Sequence, residues 1–399
     1  MDRAHEDLGS RVSVRDEASA AGTWHESAYP VMNILMVSTS YPRDGTDWRG
    51  VFMFHMAAAL GRRDEIRLKL WAPPGELPPR VISATSERQS QWLLRLMEAG
   101  GISHQMRTSP LTGFRNAASL LRMIRTVCRT ETDTGLYHIN WLQCALPLPK
   151  DRKPALLTVL GNDMKLLRLP FVRRALRRVM RSRKVAICPN AGWMEKPLRE
   201  VFGDVARIVP VPFGIDPRWY AIRREISQPY RWLAVTRLTA DKLGTLFEWS
   251  EPLFGKGREL HLFGPMQETV PIPPWVHYHG SATPEQLANE WFPRASGLVT
   301  LSMHAEGRPQ VMLEAMAAGL PIIASRMPAH ADIVSEGMTG FLCDSAAEYA
   351  AALTALEDSD ANSRMGNAAR EWVLREIGTW DDCASRYVTI YRQLLGSTA

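Results

Sequence analysis

One stretch of this chain leaves little choice of architecture. From Ser296 to Ser325 it reads SGLVTLSMHAEGRPQVMLEAMAAGLPIIAS. SGLVTLSM is a short apolar run rich in Val, Leu and Thr, and reads as a buried strand ending near Met303. Pro309 suits the first position of a helix, where its missing N–H costs nothing. QVMLEAMAA continues that helix with good helix formers. Gly319 then supplies a left-handed cap and Pro321 prevents continuation. PIIAS is the next buried strand. The unit is strand, loop, helix, strand, and its helix is apolar on nearly every side except at Glu314.

Two carboxylates interrupt this unit. Glu306 lies in the loop leaving the strand's carboxyl end, and Glu314 lies within the helix. A buried carboxylate is costly unless something pairs with it. The expected N-cap is Arg308, not Ser, Thr, Asp or Asn, so the first N–H groups lack a side-chain partner. Bare N–H groups and a positive dipole end make an anion site. Ligands of open α/β sheets bind beyond the carboxyl ends of strands. The plain alternative is that Glu306 complements the helix dipole and Glu314 reaches solvent.

The same alternation runs through both halves. VMNILMVST, IRLKLWAP, GLYHINW, PALLTVLG, RKVAICPN and ARIVPVPFGID read as strands of a first unit, with helices at VFMFHMAAALGRR and RNAASLLRMIRTVCR. The pattern restarts with strands RWLAVTRL, GRELHLFG and WVHYHG. TPEQLANEW and SAAEYAAALTAL open helices with capping boxes, Thr283 with Gln286 and Ser345 with Glu348. Two doubly wound, Rossmann-like α/β domains follow, facing across a cleft that holds the ligand. We divide the chain into a mobile tail (1–30), a first domain (31–217), a second domain (218–375) and a closing segment (376–399).

The chain has 399 residues, a hydrophobic content of 45% and a formal net charge of +6. No G-x-G-x-x-G or P-loop is present, which removes the main support for dinucleotide and P-loop readings. Cys128, Cys144, Cys188, Cys343 and Cys383 are scattered and form no C-x-x-C, so neither a disulfide framework nor a zinc site is expected. No run is long enough to span a bilayer, and no signal peptide is expected. The basic balance fits phosphorylated ligands, an anionic membrane or nucleic acid. Nucleic acid is disfavoured, because no zinc-finger or RRM-like signature occurs and aromatics are not interleaved with the basic runs.

EGRPQVMLEAMAAGLPIIAS resembles the signature of family-4 retaining glycosyltransferases, which have the GT-B fold. The resemblance covers roughly residues 31 to 395. It implies that Glu306 lies near the donor sugar and that Glu314 holds the ribose hydroxyls of a nucleotide sugar. AVTRLTADKLG looks like the family's donor motif, giving Arg237 and Lys242. Together with Glu306 these are the expected catalytic residues. Gly307, Arg308, Gln310, Val311, His304 and Gly264 are the further donor-binding expectations. VPFGID is similar to the interdomain segment, GNDMKLL to an acceptor-domain loop with Asn162 and Asp163, and Gly50 joins them on the acceptor side. WDDCASRYVTIYRQLL resembles the closing helix that crosses back to the first domain. The chain departs from the family at Leu160, where histidine is frequent, at Thr236 and Leu243, where glycine is usual, and at Arg308-Pro309. These positions bear mainly on the donor sugar.

The resemblance implies hexosyl transfer from a nucleotide sugar to a glycan or lipid-linked acceptor with retained anomeric configuration, in surface polysaccharide or glycolipid synthesis. It implies no cofactor beyond the co-substrate and no metal. The literal Asp-x-Asp, Asp358 to Asp360, lies in a polar stretch read as solvated surface between helices. His277 and His279 alternate on a strand without a third ligand. An inverting mechanism would need a base, and His138 and Asp163 are conceivable. A non-transferase GT-B protein, such as a sugar-nucleotide epimerase, is the rival reading. RLPFVRRALRRVMRSRK, from Arg168 to Lys184, places basic residues opposite an apolar helix face. That face suits docking on an anionic membrane from the cytoplasmic side.

Overall fold

The computed structural model describes residues 30–44, 47, 50–255 and 257–396. The expected tail, up to residue 29, lies outside the described residues. β1 (Met32–Val37), β2 (Ile66–Trp71), β3 (Val81–Ser83), β4 (Leu136–Asn140), β5 (Ala155–Val159), β6 (Val185–Pro189) and β7 (Arg207–Ile208) form one sheet in the order β3-β2-β1-β4-β5-β6-β7. β8 (Tyr230–Val235), β9 (Arg258–Phe263), β10 (Val276–Tyr278), β11 (Ala295–Thr300), β12 (Ile322–Ser325) and β13 (Gly340–Cys343) form a second, ordered β10-β9-β8-β11-β12-β13. Every pairing between these strands is parallel.

Parallel strands covered on both faces need continuous apolar runs. β4, β5 and β6 are buried at every residue, and each sheet has one apolar cluster on either face. Strand order reverses between β1 and β4 in the first sheet and between β8 and β11 in the second. Such switch points open a crevice at the strands' carboxyl ends. The crevices of the two sheets face each other.

The chain passes between the domains twice, at one place. Ile215 N–H donates to Gly378 O at 3.0 Å on the way out and back. Gly214 sits so close to Thr379 and Trp380 that a Cβ there would overlap their backbone. The Trp380–Leu395 helix then starts on a capping box, Thr379 with Asp382. It buries Trp380, Cys383, Tyr387 and Tyr391 in the first domain's core. Tyr391 Oη lies 2.6 Å from His138 Nδ1, and Tyr387 Oη 3.2 Å from Thr158 Oγ1.

Some expectations shift. The strand expected to end near Met303 stops at Thr300. ARIVPVPFGID gives the sheet only Arg207–Ile208, because Pro210 and Pro212 have no N–H for a ladder. The TPEQLANEW helix is one α turn, Pro284–Gln286, running into a π turn, Leu287–Trp291. The stretch with Asp358 to Asp360 is exposed and joins the Ala346–Ala355 helix to the Ser359–Glu376 helix, as expected. Asp358 caps the Ser359–Glu376 helix by accepting from Ala361 N–H at 2.7 Å.

Candidate active site

The loop after β11 carries Glu306 into the crevice. Pro309, not Arg308, is the N-cap of the Gln310–Ala317 helix, and among the described residues no side chain caps it. Arg308 turns aside instead, and its guanidinium pairs with Asp332, with Nε 3.1 Å from the carboxylate. The start of this helix is therefore bare, with its N–H groups directed at the crevice.

Lys242 reaches the same point from the exit of β8. Thr239 Oγ1 caps the short Ala240–Leu243 helix by accepting Lys242 N–H, and Lys242 Nζ donates to Glu306 Oε2 at 2.6 Å. The two side chains are only 11% and 19% exposed, so water screens the pair weakly. On the other side lies His330, whose Nδ1 donates to Ser325 O at 2.8 Å. Its Nε2 stands 3.9 Å from Glu306 Oε1. Burial alone would raise the Glu306 carboxyl, but His330 and the Lys242 ammonium outweigh it and hold its pKa down at about 2. Glu306 is a fixed anion.

The first domain closes over this loop. A Cβ on Gly161 would overlap the Glu306 carbonyl carbon and the Gly307 nitrogen. Trp193 Nε1 donates to Gly307 O at 2.8 Å. Asp332 accepts Gly192 N–H at 3.1 Å and Trp193 N–H at 2.9 Å. The Asp332 carboxylate thus joins Arg308 of the second domain to the backbone of the first.

A cavity of about 650 Å³, open to solvent, lies around Glu306. Of the expected residues it gathers Gly50, Asn162, Arg237, His304, Glu306, Gly307, Arg308 and Gln310. Arg237 Nη1 donates to Gln267 Oε1 at 3.3 Å, on the rim. Burial, then the Lys242 charge, push the His304 imidazole below its ordinary pKa.

Four expected residues lie elsewhere. Glu314 opens into a neighbouring cavity of about 210 Å³, with His55, Asp216, Arg218, Trp219 and Trp380; Phe52 and Gln310 line both cavities. Val311 packs against the second domain's core, because its position on the helix faces the sheet. Gly264 follows β9 at φ 135, pressed against Thr236 O where no side chain fits. Asp163 is buried, and its two oxygens accept Leu142 N–H at 3.1 Å and Leu160 N–H at 2.8 Å. It ties the β4 and β5 exits together and does not face the cleft. His138 cannot serve as a base either. It is fully buried between Tyr391 and Thr158, and burial lowers its pKa to about 3. Sequence reasoning missed Trp193, His330 and Asp332, whose loops carry no motif and acquire meaning only from contacts that the tertiary fold makes.

The sequence profile of the family described as "Glycosyl transferases group 1" matches residues 255–372. That match lies within the second domain, which is similar there to the group 1 glycosyltransferases. The chain is 34% identical over 103 residues to N-acetyl-alpha-D-glucosaminyl L-malate synthase of Bacillus anthracis, covering 25% of this chain and 27% of that protein. It thus spans about a quarter of that relative's length. It is 24% identical over 310 residues to a GDP-mannose-dependent alpha-(1-6)-phosphatidylinositol monomannoside mannosyltransferase of Mycobacterium tuberculosis, covering 68% and 79%. Sucrose-phosphate synthase from Thermosynechococcus elongatus superposes with a TM-score of 0.68 at 16% identity, over 92% of this chain and all of that one. Anabaena HepE, solved with UDP and glucose, does so with a TM-score of 0.62 at 13% identity, over 91% and 100%. With the two parallel sheets, these likenesses establish the GT-B fold.

Glu314 differs sharply from Glu306. Burial, then the Asp216 carboxylate, push its pKa up to about 7. A pKa raised on folding stabilises fully below the unfolded value, and that stability is lost as pH rises through the folded value. Glu314→Gln removes this loss. Urea unfolding of wild type and variant at pH 5 and pH 8 should show the variant gaining about 1–3 kcal/mol relative to wild type between the two. A gap independent of pH would place Glu314 in open solvent.

Proposed function

We propose that the protein transfers a hexose from a nucleotide-sugar donor to a hydroxyl acceptor with retained anomeric configuration. The observation that carries this is the Lys242–Glu306 pair at the bare start of the Gln310–Ala317 helix. Breaking the bond between the anomeric carbon and the diphosphate oxygen leaves negative charge on the phosphate. Lys242, Arg237 and the bare N–H groups stand where that charge develops and need no metal to neutralise it. Glu306, ionised at any physiological pH, faces the positive charge that grows on the anomeric carbon. The acceptor oxygen forms its bond on the face the phosphate leaves, and its proton passes to the departing phosphate oxygen. This route needs no protein base. Gln310 and Phe52 line both cavities, so one ligand can set its nucleoside beside Glu314 and its sugar beside Glu306. The names of the relatives, among them a GDP-mannose-dependent enzyme, and the UDP bound to HepE support UDP and GDP sugars as the first donors to try.

A panel of nucleotide sugars, read by nucleotide release with and without acceptor glycans, tests the activity. Turnover should persist in excess chelator and fall at least a hundredfold in Lys242→Ala. Activity lost to chelator and restored by magnesium or manganese would contradict the charge assignment.

We further propose that the enzyme works on an anionic membrane surface, in glycolipid or surface-polysaccharide synthesis on the cytoplasmic side. Among the described residues no helix is long and apolar enough to cross a membrane. Support comes from the Pro170–Met180 helix, which buries Val172, Leu176 and Met180 and leaves Arg174 and Arg178 exposed. Two members of the basic run are otherwise engaged. Arg177 pairs with Asp204, and Arg183 is buried against the carbonyls of Lys153 and Pro149. Exposed Leu169 and Phe171 begin this helix, and exposed Leu111 and Phe114 lie in the first turns of the Pro110–Thr130 helix. Each helix returns antiparallel to its strands, so both start at the cleft edge. Basic charge at about 1 kcal/mol per residue and apolar tips then meet at the acceptor's mouth. Vesicle co-sedimentation should require anionic lipid, weaken with salt and fall when Arg173, Arg174, Arg178 and Arg181 become Ser. Equal binding to neutral vesicles would sink the membrane reading.

A further inference from the structure

Trp141 holds a backbone conformation that tryptophan avoids, at φ 69 and ψ 132. The other non-glycine residues with positive φ, Arg80 and Arg152, are exposed. Trp141 instead stands at the exit of β4 and lines the Glu306 cavity. Such strain persists only where the surroundings enforce it. Here Trp141 N–H donates to Thr158 O at 3.0 Å, and the next N–H, of Leu142, is held by the buried Asp163 at 3.1 Å. Asp163 also holds Leu160, so one carboxylate fixes both flanking loops and turns the indole into the cleft.

The indole belongs to an aromatic wall. Phe52 meets it edge-on at 6.5 Å and stacks on Phe213 at 5.2 Å. The rest of the first domain's side of this cavity is neutral: among the described residues it carries no charged side chain, and its polar groups include Asn162 and Asn190. The buried Asn190 Oδ1 has no hydrogen-bond partner among the described residues. The cavity's charged side chains, Arg237, Glu306 and Arg308, come from the second domain.

The face of an aromatic ring beside neutral amides matches one chemistry. A pyranose ring has a face of C–H bonds that leaves water favourably against an aromatic plane, and a rim of hydroxyls for amides. A phosphate or carboxylate against this wall would find no cation among the described first-domain residues that line it. We propose that Trp141 is the platform on which the acceptor's reacting sugar lies, and that this sugar is an uncharged pyranoside, not a phosphorylated polyol. The inference rests on the reading of the Glu306 cavity as the transfer site.

The test is binding without donor. Full-length protein is applied to an array of neutral and phosphorylated glycans, and saturation-transfer NMR follows on the glycans retained, with inositol phosphate as competitor. Neutral pyranosides should be retained, with the C–H protons of one ring face saturated most strongly, and inositol phosphate should not displace them. Trp141→Gly should weaken retention at least tenfold, whereas Trp141→Phe should stay within about threefold of wild type. Glycine relaxes the strained φ but gives up the ring's packing on the core, so retention is compared at a temperature where the melting curve shows the variant folded. Trp141→Asn, which also tolerates positive φ, serves as a second variant without the ring and should lose retention equally. Unchanged glycan retention in Trp141→Gly, retention of phosphorylated ligands alone, or no retention of any neutral glycan would overturn the proposal. Trp141-dependent retention with no transfer from any nucleotide sugar would uphold the platform and reject the transferase reading.

Discussion

The backbones of the two domains meet where Gly161 lies against Glu306 and Gly307. The rest of the site depends on that approach. A side chain at either glycine would hold the domains apart, since Gly307 is itself pressed against Asn190 Oδ1. With the domains together, Trp193 can bond Gly307 O, and Asp332 can bridge Arg308 to the Gly192–Trp193 backbone. The loop that carries Glu306 is thus held from both sides. Its position reports domain closure directly, and any ligand between the domains must fit this one arrangement.

The two glutamates show how environment divides the roles of like residues. Glu306 has a lysine within 2.6 Å and stays ionised far below neutrality. For Glu314, eight residues on, burial and the Asp216 carboxylate outweigh the Arg218 charge and push its pKa up to about 7. Asp163 belongs with Glu314, pushed by burial up to about 7 despite two backbone donors. Its work is to hold loops, and the strained Trp141 is what those loops present. In the proposed transfer the low-pKa carboxylate faces the reacting carbon and the high-pKa carboxylate faces neutral hydroxyls. Each environment suits the charge it meets.

Strands such as Ala155–Val159 and Ile322–Ser325 were legible as apolar runs because both faces are buried. The crossing helix from Trp380 was legible through its resemblance. Val81–Ser83 was not, since three residues with one buried cannot show a period. Glu306, Lys242 and the uncapped helix start came from motif and cap chemistry, and they do meet. Arg308 is drawn off by Asp332, a partner 24 residues away that only the folding of the second domain brings near. Asp163 and His138 looked like chemical groups because a sequence does not display burial. Trp141 read as the last residue of a strand; its positive φ is imposed by Asp163, which no local pattern reveals.

In the proposed transfer Lys242, held by Glu306 in the free protein, exchanges that partner for the donor's diphosphate. Calorimetric titration of UDP and GDP into wild type, Lys242→Ala and Glu306→Gln tests it most directly. Lys242→Ala should weaken nucleotide binding at least tenfold, because a charge-assisted contact of about 1.5–3 kcal/mol is lost. Glu306→Gln should bind the nucleotide as tightly as wild type or more tightly, because the competing anion is gone, while turnover collapses. Unchanged affinity in Lys242→Ala, or weakened affinity in Glu306→Gln, would contradict the account.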